Sequence, residues 1–273
     1  ARRSLPSWHR DRFAARRATD ATPGAAEGQV VLLADTFNTY FEPSNVEAAL
    51  TVLEAAGYAV RLAAPPDGGR PLCCGRTFLA AGLVDEARAE ARRTIAALRP
   101  YIERGVPIIG LEPSCLLTLR DEFTVLEPGN ETRALAERAQ MFEEFLAAEN
   151  AAGRLRLNFK PVVGKKALLH GHCHQKAFDT MAATESALAL VPGLEVETVQ
   201  AGCCGMAGAF GYQAKHFDLS MQMAEMDLLP AVRAAADDVL VVADGTSCRH
   251  QIKDGAGRPA VHVAQVLAEA LTD

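Results

Sequence analysis

At 273 residues, 49% of them hydrophobic, the chain can bury one large core or two of roughly 120 residues each. A formal net charge of −6 excludes a general nucleic-acid footprint, which needs basic residues massed on one face. No apolar run reaches about 18 residues without charges, so no membrane-spanning helix is written here, while a peripheral contact at the inner membrane stays open.

Residues 1–29 are arginine-rich, a composition that resembles a transit peptide. The reading we prefer is a linker from a preceding domain, because Trp8, His9 and Phe13 look like residues that touch a neighbour. Seven cysteines without a secretory leader predict thiols kept reduced in a cytoplasmic compartment, where metal or redox use is favoured over disulfides.

From Val30 the chain gives a buried-strand run, VVLLAD, then a helix over SNVEAALTVLEAAG with Ser44 as N-cap and Gly57 as stop. A second strand, YAVRLAA, runs through the turn PPDGGRP into Cys73-Cys74-Gly75. Next come a long charged helix, LVDEARAEARRTIAALRPYIERG, the strand VPIIGLEP, and a helix opening at Ser114-Cys115. The run DEARAEARR reads as a solvated helix face with i,i+4 pairs. Residues 125–165, with a helix near ALAERAQMFEEFLAAE, join this half to the next.

Lys166 begins the same order again: KALLHGHC as strand, TESALALVPG as helix, LEVETVQAG as strand, then Cys203-Cys204-Gly205. A long helix about FDLSMQMAEMDLLPAVRAA follows, then the strand DVLVVADG, the segment TSCRHQI, and AVHVAQVLAEAL as a strand and closing helix. The alternation predicts an α/β fold of two pseudo-repeated lobes, each a small parallel sheet flanked by helices. The predicted division is a linker over 1–29, a first Cys-Cys-Gly lobe over 30–150, a connector over 151–165 and a second lobe over 166–273.

In an open parallel sheet, ligands gather at the carboxyl ends of the strands, and each cysteine follows a predicted strand. Neighbouring Cα atoms are about 3.8 Å apart, too close for an ordinary disulfide, so an adjacent pair offers two thiolates to something else. Cys173, Cys203, Cys204 and Cys248, spaced C-x29-C-C-x43-C, complete a [4Fe-4S] set or a tetrahedral zinc set; residue spacing does not separate iron from zinc. The first half supplies Cys73, Cys74 and Cys115 only. Laying VVLLADTF on KALLHGHC puts Phe37 opposite Cys173, so a fourth ligand is missing: the first site is vestigial or purely structural unless Asp35 or Glu112 substitutes.

The wording ADTFNTYFEP, PLCCGRTF, LEPSCLLTLRDEF, HGHCHQKA, CCGMAGAFGY and DGTSCRHQI resembles the cysteine-rich CCG domains of heterodisulfide reductase, of glycolate and anaerobic glycerol-3-phosphate oxidation, and of lactate utilisation. It is most similar to the C-terminal region of FAD-linked oxidases of D-2-hydroxy acids such as D-lactate or D-2-hydroxyglutarate. The resemblance covers residues 30–270 and implies an iron–sulfur relay downstream of a flavin. FAD and ferredoxin-like clusters would then lie in a domain before Ala1 or in a partner, and the acceptor would be a quinone or a soluble carrier. The chain alone is not expected to oxidise a hydroxy acid. It departs from the family's richest motif, five cysteines per half ending Cys-x-x-Cys, because Pro113-Ser114-Cys115 and Thr246-Ser247-Cys248 keep only the last. That departure argues against a five-ligand paired cluster and against disulfide cleavage.

His170, His172 and His174 alternate along and past a strand, with two of them expected as donors beside the thiolates or as core residues. His172, His174, Lys176 and Arg249 are the candidates to hydrogen-bond the sulfurs or offset their charge. CCGMAGAFG and GTSC lack a dinucleotide-binding spacing. Met206, Met221, Met223 and Met226 read as helix core. Asn38, Tyr40, Glu42 and Pro43 read as a loop at a strand's carboxyl end that could shape an acceptor site.

Overall fold

The structure is a computed structural model describing residues 3–10, 13, 28–65 and 68–272. Most of the arginine-rich stretch on which the transit-peptide and linker readings rest lies outside the described residues. Backbone contacts divide the chain into two compact units, Trp8–Leu157 and Ala1–Ser7 with Asn158–Asp273.

The first unit runs β1 (Gly28–Leu33), α1 (Thr36–Tyr40), α2 (Pro43–Ala55), β2 (Tyr58–Leu62), α3 (Arg76–Ala80), α4 (Val84–Ile102), β3 (Ile108–Gly110), α5 (Pro113–Arg120), α6 (Glu122–Leu126), α7 (Asn130–Arg138), β4 (Ala139–Met141) and α8 (Phe142–Ala151). Its four strands are parallel in the order β2-β1-β3-β4. Val30, Val31, Leu32 and Leu33 are all buried, as a central parallel strand covered on both faces requires. α2 starts one residue before the expected helix, with Glu42 at the cap and Pro43 at the first helical position, where a residue lacking N–H and with φ preset is favoured. The predicted N-cap Ser44 therefore lies inside the helix.

Two expectations change here. The single helix expected across ALAERAQMFEEFLAAE is broken by β4, which pairs with β3 from Ile108↔Ala139 to Gly110↔Met141. Backbone pairing of β3 outweighs local helix propensity, and Glu144 accepts the Met141 N–H at 2.9 Å to start α8 afresh. In the charged run of α4, Glu90 is buried rather than solvated; it accepts from Arg93 at 2.9 Å and from Arg70. Trp8 packs at 4.7 Å on Phe41 and 5.3 Å on Tyr40 while remaining 69% exposed.

The second unit runs β5 (Lys166–Leu169), α9 (Cys173–Ala177), α10 (Met181–Leu188), β6 (Glu195–Thr198), two 3₁₀ turns (Phe210–Tyr212 and Ala214–His216), α11 (Phe217–Glu225), α12 (Leu228–Ala234), β7 (Leu240–Val242), α13 (Thr246–Ala256) and α14 (Val263–Ala270). Its strands are parallel in the order β6-β5-β7, matching β2-β1-β3 of the first unit, so the pseudo-repeat extends to strand order. The long helix expected before β7 is two helices. Pro230 cannot donate to the Met226 carbonyl and its ring crowds it, so the chain breaks at Asp227, and Met226 is left 75% exposed rather than in a core. The strand expected at AVHV is reduced to one bridge, Val242↔Val261. Among the described residues no helix is long and apolar enough to cross a membrane.

Arg3 ties the start of the chain to this unit. Its buried guanidinium donates to Gln251 Oε1 at 2.6 Å and Ser220 Oγ at 3.2 Å and lies 3.5 Å from Asp254, bridging α11 and α13. Arg3→Ala should lower the unfolding free energy of the whole chain by about 1–3 kcal/mol, as expected for a hydrogen-bonded buried charge; urea unfolding followed by circular dichroism measures this, and an unchanged midpoint would contradict it.

Candidate metal centre at the strand ends of the second unit

The register of the second sheet levels its three carboxyl ends: Leu169 pairs with Thr198 on one side and with Val242 on the other. His170 donates its N–H to Val242 O at 2.8 Å, the last contact before the strands separate. Beyond that rim β5 delivers Cys173, β6 delivers Cys203 and Cys204, and β7 delivers Cys248. Between β5 and β7 the strand order reverses, the position where open parallel sheets bind ligands.

α9 places Cys173 through its cap. His172 is the N-cap and its Nδ1 accepts the His174 N–H at 3.1 Å, while Gln175 Oε1 accepts the His172 N–H at 2.9 Å. Gln175 Nε2 in turn donates to Asp244 Oδ2 at 2.8 Å, and Asp244 Oδ1 accepts the Val263 N–H at 3.2 Å. Thus α9, the end of β7 and α14 are locked by one buried network. Cys248 is the third residue of α13, near the positive end of that helix.

The Cys-Cys-Gly loop is shaped by Gly205 at φ +85°, where a Cβ would stand 2.2 Å from the Ser220 carbonyl oxygen. Its N–H donates to Cys203 Sγ at 3.3 Å. The first unit repeats the device: Gly75, at φ +74°, donates to Cys73 Sγ at 3.4 Å.

The second-unit thiols form a chain of hydrogen bonds from Cys173 to Cys203 to Cys204 to Cys248. Bonds from Cys173 and then Cys204, with the Gly205 N–H, hold Cys203 well below the usual thiol range. The Cys204 bond, followed by His172 and His170, does the same for Cys248 against the opposition of burial. Cys173 and Cys204 are pushed up, Cys173 by its bond to Cys203 and then by burial, Cys204 by its bonds to Cys203 and Cys248. Exposure is graded: Cys248 and Cys204 are buried in the core with Leu168, Met206, Val241 and Ile252, Cys203 is half-buried, and Cys173 is exposed.

Of the residues expected to flank the sulfurs, His172 and His174 do so, their rings stacked at 5.0 Å and each Nδ1 3.9 Å from Cys173 Sγ. They share a side because of the α9 cap rather than strand alternation, since β5 ends at Leu169. Lys176 and Arg249 hold backbone carbonyls. Lys176 Nζ donates to Ala201 O and, at 2.9 Å, to Gly202 O, pinning the loop that leads into Cys203. Arg249 donates to Ala243 O at 2.8 Å and Asp244 O at 2.7 Å, holding the turn into α13. Sequence reasoning missed Gln175 and Asp244. The first had a legible signal, an N3 glutamine behind a capping residue; the second had only its place at a strand end.

In the first unit Cys73, Cys74 and Cys115 also meet, with thiol bonds from Cys73 to Cys74 and from Cys74 to Cys115. Their neighbours differ. Asp35 caps α1, accepting the Phe37 and Asn38 N–H groups at 2.9 and 3.1 Å, as His172 caps α9. By that cap the residue opposite Cys173 is Thr36, not Phe37. Burial, then Glu112, raises the Asp35 carboxyl to about 6. Cys115 is eased down by the Cys74 bond, but burial with Asp35 and Glu112 outweighs it and sets the thiol at about 11. Asn38, expected in an acceptor loop, lies fully buried in α1, bonded to Asp35 at 2.6 Å and to Asn45 at 2.8 Å.

Parallel strands that present adjacent-cysteine loops and helix-borne cysteines on one rim define a cysteine-rich domain. Residues 167–253 match the family model of the CCG cysteine-rich domain. The chain is similar to a subunit of the anaerobic glycerol-3-phosphate dehydrogenase of Escherichia coli (strain K12), 28% identical over 99% of this chain and 66% of that protein. It is also similar to D-2-hydroxyglutarate dehydrogenase of the same strain, 28% identical over 89% of this chain and 22% of that one. Lactate utilization protein A of Bacillus velezensis is 27% identical over 87% of this chain and 96% of its own length. The chain therefore spans about two thirds of the first relative and under a quarter of the second.

Two outcomes check this geometry. Gly205→Ala, strained in φ and blocked by the Ser220 carbonyl, should cost roughly 2 kcal/mol or more and reduce metal uptake, measured by thermal unfolding and metal analysis; wild-type stability would refute the close approach. Because the folded Asp35 carboxyl titrates near 6 rather than 3.8, protonation favours folding, so its stabilising effect is complete below about 4 and is lost as pH rises through 6. Asp35→Asn should therefore gain on wild type by on the order of 3 kcal/mol more at pH 7.5 than at pH 4; a pH-independent difference in denaturation would argue against it.

Proposed function

We propose that this chain is the iron–sulfur electron-relay part of a flavin-linked dehydrogenase system acting on a 2-hydroxy acid or a related alcohol, with Cys173, Cys203, Cys204 and Cys248 holding one [4Fe-4S] cluster. The observation that carries the reading is the convergence of four thiols from three adjacent strand ends, graded from buried Cys248 to exposed Cys173. When bound, such a cluster supplies one-electron storage. FAD is expected in another domain or subunit, with ferredoxin-like clusters alongside it. The acceptor is a quinone at the inner membrane or a soluble carrier, and the setting is cytoplasmic. The similar proteins are named for glycerol-3-phosphate, D-2-hydroxyglutarate and lactate, and oxidation of an alcohol carbon common to all three supports the reading.

The donor set fits the cluster. Four soft thiolates suit iron–sulfur or zinc. Gly245 leaves a cradle beside them, since a Cβ there would stand 2.3 Å from His172 Cδ2 and 3.3 Å from Cys248 Sγ. The chain's own part is to exclude water at Cys204 and Cys248, to donate the Gly205 N–H to Cys203, and to leave the Cys173 edge open to a partner.

A second reading, a structural zinc docking domain, uses the same thiolates. A tetrahedral zinc draws its sulfurs to about 3.8 Å from one another, whereas Cys203, Cys204 and Cys248 form an open chain, not a trio within 4.8 Å. A trio that does close to 4.8 Å is His172, Cys173 and His174, but the single lone pair of His172 Nδ1 is already given to the His174 N–H. Both facts favour the wider group.

Metal and sulfide analysis of anaerobically purified protein decides between them. About four irons and four sulfides, lost in Cys248→Ser, are expected; about one zinc without sulfide would make the domain structural.

A further inference from the structure

Arg3 is 8% exposed, whereas Ser4, Leu5 and Ser7 after it are exposed, so the start of the chain is held by one buried side chain. That side chain enters a socket between α11 and α13 built of acceptors. Gln251 Oε1 at 2.6 Å and the Asp254 carboxylate at 3.5 Å take Nη1, while Ser220 Oγ at 3.2 Å and Met221 Sδ at 3.6 Å take Nη2. The Phe217 ring centre lies 5.1 Å from the guanidinium carbon. Gln251 Nε2 donates to the Ser220 carbonyl at 3.0 Å, which aims Oε1 at the incoming cation. Two separated pairs of acceptors suit a planar fork and not the single nitrogen of an ammonium. Arg3 Nε has no partner among the described residues, and that unpaired buried donor offsets part of the docking.

Ser220, which Arg3 grips, is also the residue on which the Cys-Cys-Gly loop closes. A Cβ on Gly205 would stand 2.2 Å from the Ser220 carbonyl oxygen, and one on Gly211 would stand 2.8 Å from Ser220 Oγ. The Gly211 N–H donates to Met206 O at 2.8 Å, so the loop leaves and returns against this one residue. We infer that the socket is a binding site for the arginine side chain of an extended peptide, filled here in cis by Arg3, and that its occupancy orders the Cys203-Cys204-Gly205 loop through Ser220. Emptying the socket takes from buried Gln251 Oε1 its arginine donor, and Gln251 then loosens its hold on Ser220. By reciprocity, a loop fixed by metal binds the arginine more tightly. The link to metal rests on the proposed function above; the peptide site and the ordering of the loop do not.

Amide hydrogen exchange of the metal-free, reduced chain tests it. In Arg3→Ala the Gly205 and Gly211 amides should exchange at least about fivefold faster. The His170 amide, bonded to Val242 O in the same unit, and the Gly75 amide, bonded to Cys73 Sγ in the first unit, should keep wild-type rates. A synthetic peptide of residues 1–7 should bind Arg3→Ala and restore the loop rates, and should bind wild type far more weakly because the socket is already filled in cis. The same peptide with citrulline in place of Arg2 and Arg3 should do neither, and Arg3→Lys should fall nearer Arg3→Ala than wild type. An unchanged Gly205 rate, equal acceleration of the His170 amide, rescue by the citrulline peptide, or failure of the arginine peptide to bind Arg3→Ala would each overturn the inference. In anaerobically loaded protein, Arg3→Ala should lose iron to a chelator faster and the arginine peptide should slow that loss. Should the protein bind no iron, the relay reading fails on metal content, and amide exchange still decides the socket.

Discussion

Parallel pairing of β5 with β6 and β7 is the constraint from which the site follows. It sends all three carboxyl ends to one rim and sets Leu169, Thr198 and Val242 level. From that level the first cysteines arrive after short, similar lengths of chain, at residues 173, 203 and 248, so little loop has to be ordered to bring them together. A parallel sheet must also be covered on both faces by its crossover helices. That covering makes a dry floor of Leu168, Val241, Met206 and Ile252 beneath Cys204 and Cys248.

The two halves share this scaffold and part company in the charges around the thiols. Where the second unit has His172 at the cap and His170 beneath, the first has Asp35 and Glu112. In the second unit the thiols split: bonds from their cysteine neighbours draw Cys203 and Cys248 toward the anion, while Cys173 and Cys204 are pushed the other way. In the first unit all three are raised, Cys73 and Cys74 first by thiol bonds, and Cys115, eased down by its Cys74 bond, by burial with Asp35 and Glu112. The same Cys-Cys-Gly turn, with the same N–H···S bond from its glycine, thus stands among different neighbours in the two units.

Much of this was legible in the sequence, because period and punctuation act locally. Buried runs such as VVLL, the stop at Gly57, and the doubled Cys-Cys-Gly announced the order of elements in both units and the gathering of the cysteines. Elements decided by distant partners were not legible: β4 exists to pair with β3, and the split of α11 from α12 depends on where Pro230 falls in the helix ladder. Side-chain destinations were harder still. Lys176 and Arg249 look like charges beside a metal in sequence; both donate to backbone carbonyls, and Arg249 to Thr246 Oγ1 as well, contacts that have no signature in residue type.

The cap of α9 also chooses a tautomer. With His172 Nδ1 accepting the His174 amide at 3.1 Å, the neutral ring must carry its proton on Nε2. That nitrogen faces the Gly245 backbone, 3.2 Å from where a side chain there would begin, on the Cys248 side of the rim. A single main-chain bond in a five-residue helix therefore fixes which edge of an aromatic ring is a proton donor and aims it across the sheet toward the neighbouring strand end.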